Sequence, residues 1–169
     1  MSMSKKPVLV SWSGGKDSAM ALRAILQSQD YEVAALVTTC TEGFRRVSIH
    51  GVRCSLLNEQ AAQLHLPLRK VFIPRDCDNE QYEAAMLVAL HEFKAAGVEQ
   101  MVFGDLYLED IRHYRDRLVA RAGITSLYPL WASNTSQLAR DFIDAGFKAM
   151  VVCVDARQLD AKFAGRLFD

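Results

Sequence analysis

Short apolar runs alternate along this chain with longer segments whose apolar residues recur at helical spacing. The runs have the β-branched, uninterrupted character of buried strands, whereas the longer segments are typical of amphipathic helices. The pattern predicts strands over residues 7–10, 31–39, 68–73, 100–103, 125–128 and 148–154. It predicts helices over residues 19–26, 52–64, 80–96, 107–122 and 134–145. Strands that alternate with helices indicate an α/β fold with a single doubly wound parallel sheet.

The most informative stretch, residues 11–18, joins the first strand to the first helix and reads Ser-Trp-Ser-Gly-Gly-Lys-Asp-Ser. Gly14 and Gly15 allow a sharp turn and a close approach of the backbone to a ligand. Amides at a helix start lack partners inside the helix and carry partial positive charge, which suits phosphate oxygens. Ser13 and Ser18 add hydroxyl donors and Lys16 adds a full charge. The stretch predicts a phosphate site, although a capped turn without a ligand is the alternative.

Asp17 is the exception in this loop, because a carboxylate repels phosphate. It can either cap the helix or hold Mg²⁺ that bridges to phosphates.

Three polar spots follow predicted strands. They are the loop that begins near Ser13, the pair Thr38 and Thr39, and the pair Gly104 and Asp105. Ligands of open α/β sheets bind beyond the carboxyl ends of the strands, so these spots are expected to converge on one site. For Asp105 the alternative is an N-cap of the helix that follows it.

Residues 13–18 resemble the PP-loop of the ATP pyrophosphatases. Three further stretches resemble the bacterial-type branch of the diphthine–ammonia ligase (diphthamide synthase) family: residues 46–53, residues 102–105 and residues 127–131. The resemblance implies a Rossmann-like fold of the HUP-like adenine nucleotide alpha-hydrolase type. It also implies a reaction in which ATP adenylates a carboxylate, pyrophosphate leaves and ammonia forms an amide.

The expected site residues rest on the chemistry of the loop, on the strand ends and on the resemblance. Lys16, Asp105 and His50 are the expected catalytic residues. Asp105 would either bind Mg²⁺ or orient ammonia, and for His50 a helix-capping or buried structural role stays open. The expected ATP-binding residues are Ser11, Ser13, Gly14, Gly15, Lys16, Asp17, Ser18, Thr38, Thr39 and Gly104. Asp17 is the expected Mg²⁺ ligand. The partners implied are the nucleotide, ammonia and an unidentified carboxylate acceptor, which a protein could carry.

The expected organisation is a PP-loop ATP-binding domain over residues 1–155 and a polar, mobile tail over residues 156–169. Members of the family continue into a segment rich in Gly and Glu that serves the acceptor site, and this sequence ends at Asp169 without it. Two alternatives to the ligase therefore stay open. One is a module that binds or senses ATP or AMP without turnover, and the other is a PP-loop enzyme that adenylates another substrate such as tRNA.

Composition narrows the choice of partners. Lys plus Arg equals Asp plus Glu, 20 against 20, which argues against broad binding to nucleic acid. The arginines of the helix over residues 107–122 are interpreted as a solvated face rather than an RNA patch; they are Arg112, Arg115, Arg117 and Arg121.

The cysteines and the apolar runs bear on the cellular location of the protein. The four cysteines are scattered, which favours reduced thiols in a cytoplasmic protein over a disulfide framework or a zinc site. No apolar run is long enough to span a membrane. Whether two chains form a homodimer is left open.

Overall fold

The structure is a computed structural model that describes residues 4–44, 46–48 and 51–169. The chain divides into two compact units, Met1–Trp131 and Ala132–Asp169. The first unit contains, in chain order, β1 (Lys6–Ser11), α1 (Lys16–Gln27), β2 (Tyr31–Thr41), β3 (Arg46–Val47), α2 (Cys54–Gln63), β4 (Leu68–Ile73), α3 (Asn79–Ala95), β5 (Gln100–Val102), α4 (Glu109–Ala120) and β6 (Thr125–Leu127).

The central sheet of the first unit has the parallel order β4-β2-β1-β5-β6. Residues Leu36 and Val37 of β2 pair with β1 and also with β4, so these two strands lie on opposite sides of β2. The short β3 adds an antiparallel pairing to the end of β2. Strand order reverses at β1, because β2 and β4 lie on one side of it while β5 and β6 lie on the other. The carboxyl ends of β1 and β5 therefore frame a crevice.

The apolar run of β1 is explained by its central place in the sheet. Val8, Leu9 and Val10 are all fully buried, because β1 has a strand on each side and both faces of the sheet are covered. Leu9 belongs to the core that packs against α3 and α4. The prediction of a Rossmann-like α/β fold with a mostly parallel sheet is confirmed.

A capping motif in the sequence marks the start of the longest described helix, α3. Asp78 accepts a hydrogen bond from the amide of Gln81, and the Gln81 side chain accepts one from the amide of Asp78. This reciprocal capping box satisfies two amide donors at the helix start. Among the residues that the structure describes, no helix combines the length and apolar composition needed to cross a bilayer.

The second unit corrects the last predicted strand. It contains α5 (Thr135–Asp144), β7 (Ala149–Met150), a 3-10 helix (Ala161–Phe163) and β8 (Leu167–Phe168). The run over residues 148–154 was predicted to join the parallel sheet, and this is wrong. Only two of its residues form a strand, and they pair antiparallel with β8.

The predicted tail over residues 156–169 forms structure within the second unit, and its mobility stays a prediction. Residues 156–169 contain β8, and the Phe168 ring lies 5.9 Å from the Phe142 ring of α5. The tail therefore supplies both the strand partner and an aromatic contact within its own unit. The division of function at residue 155 stays a prediction.

Candidate functional site

A cleft of about 240 Å³ opens at the carboxyl ends of β1, β2 and β5. Its position is the reversal of strand order, where ligands of such sheets bind. The lining residues are Ser11, Trp12, Ser13, Asp17, Ser18, Val37, Thr38, Thr39, Val47, Tyr82, Met86, Met101, Phe103, Gly104, Asp105, Tyr114, Arg115, Leu118 and Val119. One wall is polar and belongs to the loop after β1. The opposite wall is formed by α3, α4 and the end of β5.

The loop after β1 is held against α2 at Gly14. This glycine has φ +76°, and a Cβ there would lie 2.5 Å from Leu57 Cδ2. The side chain of Gln60 donates from Nε2 to the Gly14 carbonyl at 3.2 Å and accepts at Oε1 from Trp12 Nε1, also at 3.2 Å. Position 14 therefore requires glycine both for its backbone angle and for its contact with α2.

The start of α1 has no side-chain cap. Gly15 is the N-cap residue, and the amide of Gly15 donates to Ser13 Oγ at 3.3 Å. Ser18 donates from Oγ to the Gly15 carbonyl at 2.9 Å, and its Oγ lies 3.1 Å from Ser13 Oγ. A helix start without a capping side chain offers amide donors and the positive end of the dipole to an anion.

Lys16 and Asp17 form an ion pair in the first turn of α1. Because Gly15 occupies the N-cap position, Asp17 is not the helix cap, and that alternative is excluded. Both side chains of the pair are partly exposed, at 29% for Lys16 and 43% for Asp17. Such a pair contributes little to stability and can rearrange when a ligand arrives.

Gly104 brings the end of β5 into backbone contact with α1. A Cβ at this position would lie 2.8 Å from the Asp17 carbonyl oxygen and 3.1 Å from the Ser18 amide nitrogen. Any side chain at position 104 would therefore push the two walls of the cleft apart. This contact sets Asp105, the next residue, beside the loop.

Asp105 pairs with Arg115 of α4 rather than capping that helix. The Arg115 Nε lies 2.7 Å from Asp105 Oδ2, and Arg115 Nη2 donates to Asp105 Oδ1 at 3.3 Å. The shorter contact is an ion pair without hydrogen-bond alignment, since both of its atoms are buried and without a hydrogen-bond partner among the described residues. The N-cap of α4 is Leu108, so the capping alternative for Asp105 is excluded.

Aromatic rings support this second ion pair. The Arg115 guanidinium lies 4.8 Å from the centre of the Phe103 ring, which stacks on the Tyr128 ring at 5.7 Å. One turn earlier, the Arg112 guanidinium lies over Tyr128 and over Trp131, at 5.0 and 4.6 Å. The interpretation of α4 as a solvated arginine face is therefore wrong for Arg112 and Arg115, because cation–π contacts hold both against aromatic rings.

Two phenols lie in the inner wall of the cleft. Burial, together with the neighbouring Glu83, raises the pKa of Tyr114 to about 12. Burial also raises the pKa of Tyr82. Both side chains therefore stay neutral at physiological pH and act as hydrogen-bond donors.

The end of β2 contributes two hydroxyls of different character. Thr38 is buried, and its Oγ1 has no hydrogen-bond partner among the described residues. Thr39 Oγ1 lies 2.7 Å from Ser48 Oγ and is already paired. An unpartnered buried hydroxyl that borders a cleft is a ready contact for a polar ligand group.

The structure brings most of the expected site residues to the cleft: Ser11, Ser13, Asp17, Ser18, Thr38, Thr39, Gly104 and Asp105. Gly14, Gly15 and Lys16 form the outer turn and do not line it. His50 lies outside the described residues.

Sequence reasoning missed Arg115 and the two phenols of the inner wall. The helical spacing of Tyr114, Arg115 and Leu118 on α4 is a signal that could have placed these three residues on one face of the helix. Helical spacing does not predict which edge of the sheet this face packs against.

The residues present suit a nucleotide better than a bare metal ion. Among the described residues, three features fit a phosphorylated ligand: the start of α1 without a capping side chain, the positions that require glycine at Gly14 and Gly104, and the unpaired hydroxyl of Thr38. Within residues 4–44, 46–48 and 51–169, no group of three His, Cys, Asp or Glu side chains could hold a metal ion by itself. A Mg²⁺ ion here would need phosphate oxygens beside Asp17, which is how Mg²⁺ commonly binds nucleotides.

Comparison with known proteins agrees with this geometry. A family model, the diphthamide synthase N-terminal domain, matches residues 6–126. A solved structure, that of a predicted subunit of tRNA methyltransferase from Methanocaldococcus jannaschii, is 18% identical with a TM-score of 0.50. The match covers 89% of this chain and 80% of that one. At this identity the likeness shows a shared fold. No curated protein matches the chain.

Proposed function

This chain belongs to the diphthamide synthase N-terminal domain family of ATP-utilising PP-loop proteins, and we propose that it is an ATP-dependent amide ligase. In this proposal it adenylates a carboxylate, releases pyrophosphate and transfers the acyl group to ammonia. The observation that carries the proposal is the contact at Gly104. It joins the phosphate-type loop and the Asp105–Arg115 pair in one cleft.

The proposed reaction has two steps. A carboxylate oxygen of the acceptor attacks the α-phosphorus of ATP, and the bond from that phosphorus to the bridging oxygen breaks, so that pyrophosphate leaves. Ammonia then attacks the acyl carbon and loses a proton. The bond from the acyl carbon to the phosphate oxygen breaks, which releases AMP and the amide.

The loop is suited to the charge that develops in the first step. Amides at the start of α1 and the hydroxyls of Ser13 and Ser18 would hold phosphate oxygens, and Lys16 would add a positive charge. Asp17 would hold Mg²⁺, which neutralises phosphate charge when bound. The end of β2, with Thr38, would contact the ribose or adenine.

Asp105 is suited to the second step. Its carboxylate can accept a hydrogen bond from ammonia, and Arg115 restrains its orientation through two contacts. Because Arg115 is itself stacked on Phe103, the acceptor side of the cleft is assembled before substrate binds. Fixed orientation of a reacting group is a large part of enzymatic rate enhancement.

The test is product analysis with ATP labelled at the α-phosphate, in the presence of Mg²⁺, ammonium and a panel of amino-acid and peptide carboxylates. The expected products are AMP and pyrophosphate, formed faster with one acceptor than with the others. Lys16→Ala is the matched variant, and at subsaturating ATP it is expected to form both products more slowly.

Two results would contradict the proposal. Formation of ADP and phosphate would show cleavage at a different bond. ATP that binds but stays intact with every acceptor would support a nucleotide-sensing module instead.

A further inference from the structure

Cys40 and Cys54 are buried neighbours beside the cleft. Their sulfur atoms lie 2.6 Å apart, although the residues are 14 positions apart in the chain. Both thiols are free, and the residues are 0% and 6% exposed. The remaining cysteines differ, since Cys77 is partly buried and Cys153 is exposed.

The backbone explains why the two thiols meet. Cys40 pairs with Val47 where β3 runs antiparallel to the end of β2. Arg46 of β3 forms a bridge with Arg53, the residue before Cys54. Two successive backbone pairings therefore bring the first residue of α2 close to the carboxyl end of β2.

The pair is not a metal centre. No third His, Cys, Asp or Glu joins these two sulfurs to form a metal-binding group in the part of the chain that the structure describes. A sulfur–sulfur bond is about 2.05 Å long, so the two atoms need to approach by only about half an ångström to form one.

The elements that the pair connects both belong to the site. The end of β2 carries Thr38 and Thr39, which line the cleft. Helix α2 carries Gln60, which holds the Gly14 carbonyl and the Trp12 ring nitrogen. A covalent bond between Cys40 and Cys54 would therefore tie the strand end to the helix that supports the loop.

We propose that Cys40 and Cys54 form a site of reversible thiol oxidation, in which a disulfide staples β2 to α2. The oxidant is a hydroperoxide such as hydrogen peroxide. One thiolate attacks a peroxide oxygen, the O–O bond breaks, and a sulfenic acid forms with release of water. The second thiol displaces the sulfenic oxygen as water, which leaves the disulfide. Two thiols lose two electrons and two protons, and one peroxide becomes two waters.

The two thiols have different roles in this step. Burial, together with the hydrogen bond with Cys54, raises the pKa of Cys40 to about 12. Cys40 therefore holds its proton, and Cys54, which retains some exposure, is the thiol that meets the oxidant. Cys40 then resolves the sulfenic acid.

The experiment is peroxide treatment of the full chain, followed by alkylation in denaturant and a non-reducing tryptic map. Trypsin cuts after Arg45 and after Arg53, so the disulfide is expected to link peptide 24–45 to peptide 54–69 with a loss of about 2 Da. Closing the loop between two cysteines that are 14 positions apart is expected to raise the Tm by roughly 6–12 °C, and dithiothreitol is expected to reverse both changes.

Matched variants separate this site from general oxidation. Cys54→Ala should remove both the crosslink and the rise in Tm, whereas the double variant Cys77→Ser with Cys153→Ser should behave like the wild type. The double variant keeps the buried pair, so the test holds even if Cys54→Ala fails to fold. The proposal is overturned if Cys153 is oxidised while peptides 24–45 and 54–69 remain separate and alkylated. It is also overturned if a crosslinked protein shows no change in Tm.

Discussion

Two cation–carboxylate pairs flank the cleft, and they are built differently. Lys16 and Asp17 are adjacent in the chain and partly exposed on the first turn of α1. Asp105 and Arg115 come from the end of β5 and from α4, and the Asp105 side chain is only 17% exposed. The first pair needs no tertiary structure to meet, whereas the second exists only in the folded chain.

This difference indicates a division of labour. A partly exposed pair of sequence neighbours is worth little and can exchange partners, so Lys16 and Asp17 are free to change partners in the way the proposed phosphate and Mg²⁺ binding requires. The second pair is backed by the Phe103 ring and by the backbone contact at Gly104. One wall of the cleft is thus adjustable, and the other is preorganised.

The largest expected effect comes from Asp105→Asn, which keeps the size of the side chain and removes its charge. Turnover to amide should fall about 100-fold, because ammonia loses its oriented acceptor, while ATP affinity stays within about twofold. Steady-state kinetics and calorimetry measure the two quantities. Asp110→Asn, at the exposed start of α4, is the control. Full activity of Asp105→Asn would remove Asp105 from the site.

Gly104→Ala tests whether the two walls need their backbone contact. The added Cβ would collide with the Asp17 carbonyl, so unfolding free energy should fall by roughly 2 kcal/mol. Chemical denaturation measures the loss. Gly15→Ala makes the same chemical change at a position where an added Cβ would lie 3.4 Å from Ser13 Oγ, an ordinary contact. It should cost less than about 1 kcal/mol. Equal losses would show that the contact at Gly104 is not special.

Lys16→Ala tests the adjustable wall. ATP affinity should fall at least about tenfold, or roughly 1.4 kcal/mol, because a positive charge is lost beside the phosphates. Stability should change by less than about 1 kcal/mol, since the pair is exposed. Calorimetric titration with ATP and Mg²⁺ measures the affinity, and Lys94→Ala, on α3, is the control. Unchanged affinity in Lys16→Ala would overturn the phosphate assignment.

Tyr128→Phe is expected to have the smallest effect, because it loosens the preorganised wall indirectly. Tyr128 donates from Oη to Asp116 Oδ1 at 2.8 Å, and its ring stacks on Phe103. Removing this hydrogen bond should lower the unfolding free energy by about 1 kcal/mol. Denaturation at neutral pH measures the loss, and the exposed Tyr107 supplies the control, Tyr107→Phe.

The same variant should change the response to alkali. Burial raises the pKa of Tyr128 above its ordinary value of 10.0, so the folded state holds the phenol proton more tightly than the unfolded chain. This contribution to stability is complete below pH 10 and is lost as the pH rises above it. The wild type should therefore lose stability between pH 9 and pH 11 more steeply than Tyr128→Phe. Parallel pH profiles would contradict this account.

The sequence predicts the adjustable wall well, because the relevant residues are contiguous. A strand, two glycines and a helix start are all encoded within residues 7–26, and the carboxyl-end rule brings Thr38 and Asp105 to the same edge. The preorganised wall is less visible. Arg115 and Phe103 meet only after β5 and α4 have packed, and helical spacing alone makes Arg115 look like a surface residue.

The contact between Cys40 and Cys54 and the pairing of β7 could not be predicted from the sequence either, because both depend on strand pairing. The strand β3 has two residues, too few to show alternation, so the meeting of Cys40 and Cys54 could not be predicted from spacing. The apolar run over residues 148–154 is typical of a buried strand. Composition does not specify a strand's partner, however, and β7 pairs with β8 instead of the central sheet.

The central position of β1 has a further consequence for how the molecule opens. Amide protons of Val8, Leu9 and Val10 can exchange with solvent only when the sheet comes apart, so they should be among the slowest to exchange. The loop that begins at Trp12 is anchored directly to this slow-exchanging segment, and the Trp12 amide itself donates to the Val37 carbonyl at 2.8 Å. Local fluctuations that fray helices and outer strands therefore leave the stem of the loop in place. The stem of the proposed anion site should therefore persist until the first unit unfolds as a whole.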